Sequence, residues 1–583
     1  MKDTLSNVLY IDLSRMKFWR EDRKELFEKW IGGSGVAIKL LEEECPRKAD
    51  PLGPENPIIF AVGPFTSIYP IASKTVAMFK SPLTGNLGES HCGGRSAVAI
   101  RLAGYGAIVI RGVSENPIYL AIHGDKIRFG EASALWGMTS GYTVGRVLRQ
   151  REPGAGMRTI MRIGRAGERL ISYACVVTET YRHFGRLGLG AIFGSKKLKA
   201  IVISGRRSIS VSDMKGYRQT YKEIFDSLSS DDMRKYHELG TAVNVGPLNE
   251  LGALPTRNLK ESRFTEAEAI SGENFAKNFL GRRIACAHCP VACIHLAALR
   301  EPYEFEPYFY KTKMISYDYE LIYALGSMLG ISSPESLLRL MDEVETSGLD
   351  AISTGVALSW ATEAQEKKLV STNDTNGLKL AWGDEKTFLT AIRHLVDQVT
   401  DFYKALGKGV EYASSIYGGK EFALAFGGNE MPGYHTGTAA HLGYLIGSRH
   451  SHLDSAGYSL DQKTAVEGEL TAKAIVDKLM QEEAWRQILS SLVICYFARG
   501  IYNPELVIKA FDVIGRRVTR EELVTKGEMI LKAKYEFKAR EGFITSGLRI
   551  PERILQTLTP LGKISKEMIV EGLRLAEEKL ASL

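Results

Sequence analysis

Four of the seven cysteines constrain this 583-residue chain more than any other feature. Three lie in the run Cys286-Ala287-His288-Cys289-Pro290-Val291-Ala292-Cys293, a C-x2-C-x3-C pattern, and Cys495 lies far downstream. If the four share a site, the fold must bring two distant segments together around it. Three thiols on a tight turn plus one remote thiol are the donor set of a [4Fe–4S] cluster. A four-thiolate zinc cage, with His288 and His295 as spare ligands, is the competing reading of this spacing. A disulfide framework does not suit a chain with no other mark of secretion. Cys45, Cys92 and Cys175 read as inert buried thiols.

A hydrophobic content of 44% and a charged content of 25% fit an ordinary globular protein, with roughly two to four domains at this length. No apolar run approaches the ~18 residues of a membrane helix. The start, Met1-Lys2-Asp3-Thr4-Leu5-Ser6, lacks the apolar core of a secretory signal, so a cytoplasmic protein is expected. The net charge of +7 is mild. No Lys/Arg tract with interleaved aromatics supports nucleic-acid binding. Thirteen Asn and eight Gln are few for this length and hint at a thermophilic source.

Residues 1–208 read as a β-rich domain. Pro57-Ile58-Ile59-Phe60-Ala61-Val62, Ala107-Ile108-Val109-Ile110 and Ala200-Ile201-Val202-Ile203 are short apolar runs of the kind that form buried strands. Gly32-Gly33-Ser34-Gly35, Cys92-Gly93-Gly94 and Gly185-Arg186-Leu187-Gly188-Leu189-Gly190 read as Gly-rich turns between strands. The last of these, followed by Gly194-Ser195-Lys196-Lys197, could offer backbone N–H groups and cations to phosphates. After Ser208-Ile209-Ser210 a helical period dominates, as in residues 335–344. A second soft boundary near Gly407-Lys408-Gly409 divides residues 209–415, a helical domain with the cysteine run, from 416–583, a helical domain with Cys495.

Several segments resemble the tungsten-containing aldehyde:ferredoxin oxidoreductase family. In the first domain they are Lys80-Ser81-Pro82-Leu83-Thr84-Gly85, Ala103-Gly104-Tyr105-Gly106-Ala107-Ile108, Gly185-Arg186-Leu187-Gly188-Leu189-Gly190-Ala191 and Gly194-Ser195-Lys196-Lys197-Leu198-Lys199-Ala200-Ile201. Gly348-Leu349-Asp350-Ala351-Ile352-Ser353-Thr354-Gly355 resembles a motif of the middle domain. With Cys286, Cys289, Cys293 and Cys495 in the family's order, the resemblance spans essentially the whole chain. It favours the iron–sulfur reading over zinc. The fold it implies is α+β, an N-terminal β-sheet base under two pyranopterins, closed by two mainly α-helical domains. The implied cofactors are a tungsten (or molybdenum) bis-pyranopterin, one [4Fe–4S] cluster, and Mg²⁺ bridging the pterin phosphates.

By the same resemblance, Lys74, His91, Gly93, Arg182 and His183 form the pterin-phosphate region, and Gly185, Arg186 and Gly188 are further cofactor-binding residues. Glu345, Gly348, Leu349 and Asp350 hold one pterin, and Ser490 and Ile494 belong to the counterpart for the other. The family usually has Arg at Lys74, Asn at His91, and Asp at both Glu345 and Ser490. Lys keeps the charge of Arg but not its planar two-pronged contact. Tyr317-Asp318-Tyr319-Glu320 resembles the segment with the active-site glutamate, which maps to Glu320. In Arg449-His450-Ser451-His452-Leu453-Asp454, His452 is the preferred match to the family's histidine near the metal, with His450 as the alternative. Tyr434 and His435 are expected to border the same pocket.

The activity implied is oxidation of an aldehyde with water to a carboxylic acid, with electrons passing to ferredoxin or a polyferredoxin-type subunit. Two readings compete with it: a low-potential reduction, such as of an aromatic thioester, and a cluster-bearing electron-transfer subunit without a pterin. Membrane and nucleic-acid partners are not expected, and an oligomer is compatible with the sequence.

Overall fold

The computed structural model describes residues 4–154, 158–179, 181–468 and 470–582. Met1, Lys2 and Asp3, on which the signal-peptide reading partly rests, lie outside them. Ile58–Ala61, Ala107–Arg111 and Leu198–Ser204 are apolar and buried along almost their whole length, as strands covered on both faces must be. They belong to two six-stranded sheets. The first runs Lys17–Asp22, Asn7–Asp12, Ala107–Arg111, Ile58–Ala61, Thr75–Lys80, Leu87–Cys92, with only the second and third strands parallel. The second runs His183–Phe184, Val176–Val177, Thr159–Ile163, Leu198–Ser204, Ile118–His123, Lys126–Glu131. One apolar core joins the sheets, and in it Phe60 meets Phe184 at 5.4 Å and Phe193 at 6.3 Å.

From Met214 onward helices dominate. The expected helix over residues 335–344 lies within Pro334–Ser347, where Ser333 Oγ accepts the Ser336 N–H at 3.3 Å and Pro334 opens the first turn. The cysteine run forms the loop of a hairpin: Ile284 of Leu280–Ile284 faces Ile294 of Ile294–Pro302, and Tyr310–Tyr317 adds a third antiparallel strand. The boundary expected at 415/416 falls inside the helix Val410–Tyr417. Gly409, at φ 100°, is the residue before that helix rather than part of a linker. A single apolar cluster runs from Ala166 to Ala576 across this division.

Two glycine stretches differ from their reading as turns. Gly33–Glu44 is a buried helix. A Cβ on Gly33 would stand 2.1 Å from Ser490 O, and one on Gly63 2.4 Å from Ser491 O. These glycines seat the backbone of the segment that ends in Cys495. Leu189–Ser195 is likewise a helix, with Gly188 before it at φ 87°. Lys196 and Lys199 are buried structural cations: Lys196 Nζ donates to the Pro54 and Gly112 carbonyls at 3.1 Å, and Lys199 pairs with Glu168. The Lys196 and Lys199 ammonium groups are therefore not free to meet a phosphate.

Candidate active site

Two loops, each at the C-terminal end of a long helix, close over the sheets. After Pro334–Ser347, residues 348–350 lie along the second sheet's outer segment. The Cys175 N–H donates to Gly348 O at 2.9 Å and the Asp350 N–H to Tyr173 O at 3.0 Å. Gly164 makes this possible, since a Cβ there would sit 2.2 Å from Ser347 O. After Ala472–Ser491, the second loop docks on Gly32, Gly33 and Gly63. The Lys74 N–H donates to Val493 O at 3.1 Å and the Cys495 N–H to Ile71 O at 3.2 Å.

The second loop and the cysteine hairpin meet at the end of the first sheet. The Ala287 N–H donates to Gly94 O and the Ile71 N–H to His288 O, both at 2.9 Å. Cys286, Cys289, Cys293 and Cys495 lie within electrostatic reach of one another. A Cβ on Gly93 would stand 2.8 Å from Cys286 Sγ and 3.5 Å from Lys74 Nζ, so a side chain there would press on the Cys286 thiol. Arg182 Nη2 approaches Cys293 Sγ at 3.5 Å. Burial, then repulsion among the thiols, pushes Cys289 up to about 12, and burial is the main cause that brings Cys293 to about 11. A cationic cluster core would hold all four as thiolates, and Lys74 and Arg182 would offset its negative charge. Among the described residues, no three His, Cys, Asp or Glu side chains gather around a single-ion position.

Beside the thiols lies a cavity of ≈ 360 Å³. Lys74, His91, Arg182, Arg186, Arg449, Arg486 and Arg499 line it together with Glu89, Asp318, Glu320, Glu345 and Asp350. Arg182 Nε, Arg186 Nη1, Glu320 Oε1, Asn429 Oδ1 and His452 Nδ1 are buried without a hydrogen-bond partner. Each such atom costs about 1–3 kcal/mol. Their collection around one cavity, with this surplus of cations, fits a polar, anionic group such as a pterin phosphate pair.

At one wall, Asp318 caps the helix Tyr319–Leu325 by accepting the Leu321 N–H at 3.2 Å. This places Glu320 in the first turn, facing the cavity. Glu320 Oε2 accepts the Gly433 N–H at 3.1 Å, and Oε1 lies 3.5 Å from His452 Nε2. Burial, with Asp318 and Asp350 nearby, pushes Glu320 up to about 8. Burial and the cations Arg186, Arg449 and Arg486 push His452 down to about 3. The pair is therefore a neutral acid beside a neutral imidazole at pH 7. Tyr434 stacks on Tyr458 at 4.5 Å and packs on Tyr319 and His452, forming an aromatic wall.

Sequence comparison accounts for this arrangement. The family model described as "Aldehyde ferredoxin oxidoreductase, N-terminal domain" matches residues 8–205, and that of "domains 2 & 3" matches residues 219–579. The chain belongs to the aldehyde ferredoxin oxidoreductase family. It is 31% identical to the tungsten-containing aldehyde ferredoxin oxidoreductase of Thermococcus kodakarensis, over 92% of this chain and 89% of that protein. It is 32% identical to the aliphatic sulfonate oxidoreductase, WOR-like subunit, of Pyrococcus furiosus, over 70% and 66%. The fold is also that of the solved active-site complex BamBC of benzoyl coenzyme A reductase, with a TM-score of 0.83 at 20% identity, covering 99% and 95% of the chains. The family binds a tungsten- or molybdenum-pterin and an iron–sulfur cluster.

Of the residues expected from aldehyde ferredoxin oxidoreductases, Lys74, His91, Gly93, Arg182, His183, Gly185, Arg186, Glu345, Leu349, Asp350, Glu320, Tyr434 and His452 line the cavity. Gly188, Gly348, Ser490 and Ile494 stand behind it. Gly348 ends the helix at φ 76°, Ser490 Oγ lies 2.5 Å from the Tyr496 hydroxyl, and the Ile494 N–H donates to Leu489 O at 2.9 Å. His450 faces away, with Nδ1 2.9 Å from Tyr444 O and Nε2 3.0 Å from Lys538 Nζ. It adopts φ 56°, and Ser451 then caps a new helix, so the two rings point to different sides. His435 also points away, bonding His441 at 2.8 Å and Thr557 O at 3.1 Å.

Sequence reasoning missed Glu89, Arg449, Arg486, Tyr458 and Tyr496. Glu89 is brought in by its pairing with the distant Lys534, and Tyr458 by stacking on Tyr434, contacts that no local pattern announces. Glu89 is held well below the usual carboxylate range despite burial, because Lys534 and His91 contact it. His91 Nε2 sits 2.7 Å from Glu89 Oε1, which directs this ring nitrogen to the carboxylate rather than to a phosphate-bound Mg²⁺.

Proposed function

We propose that this chain oxidises an aldehyde with water to a carboxylic acid, releasing two protons and two electrons. The observation that carries the reading is the Glu320–His452 pair, set in a buried cavity beside four clustered thiols. When bound, the tungsten (or molybdenum) pterin supplies the two-electron oxidation and the [4Fe–4S] cluster the one-electron exit.

Lys74, Arg182 and Arg186 would hold the anionic pterin groups, with Glu345 and Asp350 receiving their N–H donors. Glu320 would take the proton of the attacking water, a role open to its ionised form. His452, neutral and with Nδ1 free of partners, would orient the aldehyde oxygen by hydrogen bonding. The Tyr319–Tyr434–Tyr458 wall would exclude bulk water and pack against the aldehyde's apolar part. A Mg²⁺ accompanying the anionic pterin groups would belong to the same proposal.

Reduction of a viologen dye by anaerobically purified, metal-loaded protein with a panel of aldehydes tests this. The expected result is aldehyde-dependent reduction that rises with pH through about 8, as Glu320 ionises. Loaded protein that turns over no aldehyde would refute the substrate assignment. Electrons would leave to ferredoxin or a polyferredoxin-type subunit. The helices do not bear on that point, except that none described is long and apolar enough to cross a membrane.

A further inference from the structure

The strand that follows Cys293 leads away from the site to an unusual surface. Ile294–Pro302 and Tyr310–Tyr317 are paired from His295↔Tyr317 at the site to Pro302↔Tyr310 at the tip. At the tip, Tyr303 is 49% exposed, Phe305 90%, Tyr308 91%, Phe309 64% and Tyr310 54%. Together these side chains present on the order of 700 Å² of apolar-bodied surface, since each aromatic covers about 150–250 Å². That exceeds the few hundred Å² of apolar patch a monomer ordinarily exposes, and approaches one side of a standard interface.

The tip is held in shape. The Tyr303 N–H donates to Phe309 O and the Phe309 N–H to Glu306 O, both at 2.9 Å. The Arg300 guanidinium covers the Tyr310 ring at 5.0 Å. The strands are pinned to the body by Arg339–Glu301 at 2.8 Å and Lys313–Asp342 at 2.5 Å. Aromatic side chains held out on a braced hairpin are preorganised for a partner, so little ordering entropy opposes binding.

Charge divides along the arm. Residues 302–310 hold Glu304 and Glu306 and no cation, while Glu301 is paired with Arg339 and Arg300 lies on the Tyr310 ring. At the other end the neighbouring strand Leu280–Ile284 exposes Arg282 and Arg283, with Arg283 paired opposite His295, two residues from Cys293. Seven residue steps of strand separate His295 from Pro302, about 23 Å at ~3.3 Å per residue, which is comparable to the width of a small domain.

We propose that the Pro302–Tyr310 tip is a docking arm for the electron acceptor, a small iron–sulfur protein long enough to span the arm. Its acidic side would meet Arg282 and Arg283 beside the cysteine hairpin, and an apolar, cation-rimmed side would receive Phe305 and Tyr308 between the glutamates. The acceptor would then sit over the cluster and take one electron at a time, two per turnover. This rests on the oxidoreductase reading above but not on its substrate.

The test uses holoprotein reduced with titanium(III) citrate, so that no aldehyde is needed, and compares methyl viologen with a purified two-cluster ferredoxin as oxidant. In Phe305→Ala/Tyr308→Ala, reoxidation by the dye should match wild type. The ferredoxin concentration giving half-maximal reoxidation should rise at least tenfold, and more so at high salt, where the charge contacts that the variant retains are screened. An unchanged ferredoxin dependence would overturn the proposal. So would a parallel loss with the dye, or a wild-type dimer that the variant dissociates without changing ferredoxin reoxidation, which would assign the tip to self-association.

Discussion

Glu320 shows how burial sets the chemistry of a single residue. Its acidity is shifted from the ordinary 4.5 up to about 8 by loss of solvent, with Asp318 and Asp350 adding repulsion. The folded state holds this proton between those two values and the unfolded state does not. Folding stability from this residue therefore falls as pH rises from about 4.5 to 8, by an amount on the order of 3–5 kcal/mol. Glu320→Gln should lower kcat/KM by about 10²–10⁴ while raising the apparent Tm, with a larger rise at pH 8 than at pH 5. A variant that loses activity and also melts lower at pH 8 would contradict this account. Glu320 was legible because its neighbours form a recognisable motif. The choice of His452 over His450 was not settled by spacing, because the left-handed residue at 450 and the Ser451–Asp454 capping box together turn the two rings to opposite sides.

At the scale of elements, the site depends on where glycines let one backbone lie on another. Gly63 seats the loop ending in Cys495, and Gly164 seats the loop ending in Asp350. Gly63→Ala would drive a Cβ to 2.4 Å from Ser491 O, and Gly164→Ala to 2.2 Å from Ser347 O. Each should destabilise the fold by about 1–3 kcal/mol, but the losses should differ. Gly63→Ala should lower the iron content of purified protein. Gly164→Ala should lower tungsten or molybdenum while retaining most iron. Metal analysis of both variants checks this, and equal losses in the two would show that the loops do not divide the labour. The glycines themselves were visible in the sequence, but their partners were not. A Gly-Gly-Ser-Gly run reads as a turn when the chain that packs on it lies hundreds of positions away.

At the scale of the whole molecule, the β-rich base and the helical remainder follow from the switch in apolar period near residue 208, and both were legible. The finer division at 415/416 was not, since one apolar cluster and one helix cross it. Limited proteolysis should accordingly release no stable fragment beginning near residue 416, and a protease-resistant 416–583 piece would contradict this reading. The same integration brings Cys495 to the hairpin at 286–293 and encloses the cavity between the two seated loops. Elemental analysis of anaerobically purified protein tests this joint site most directly. The account predicts about four iron atoms together with tungsten or molybdenum in each chain. Zinc in place of iron, with neither heavy metal present, would contradict it.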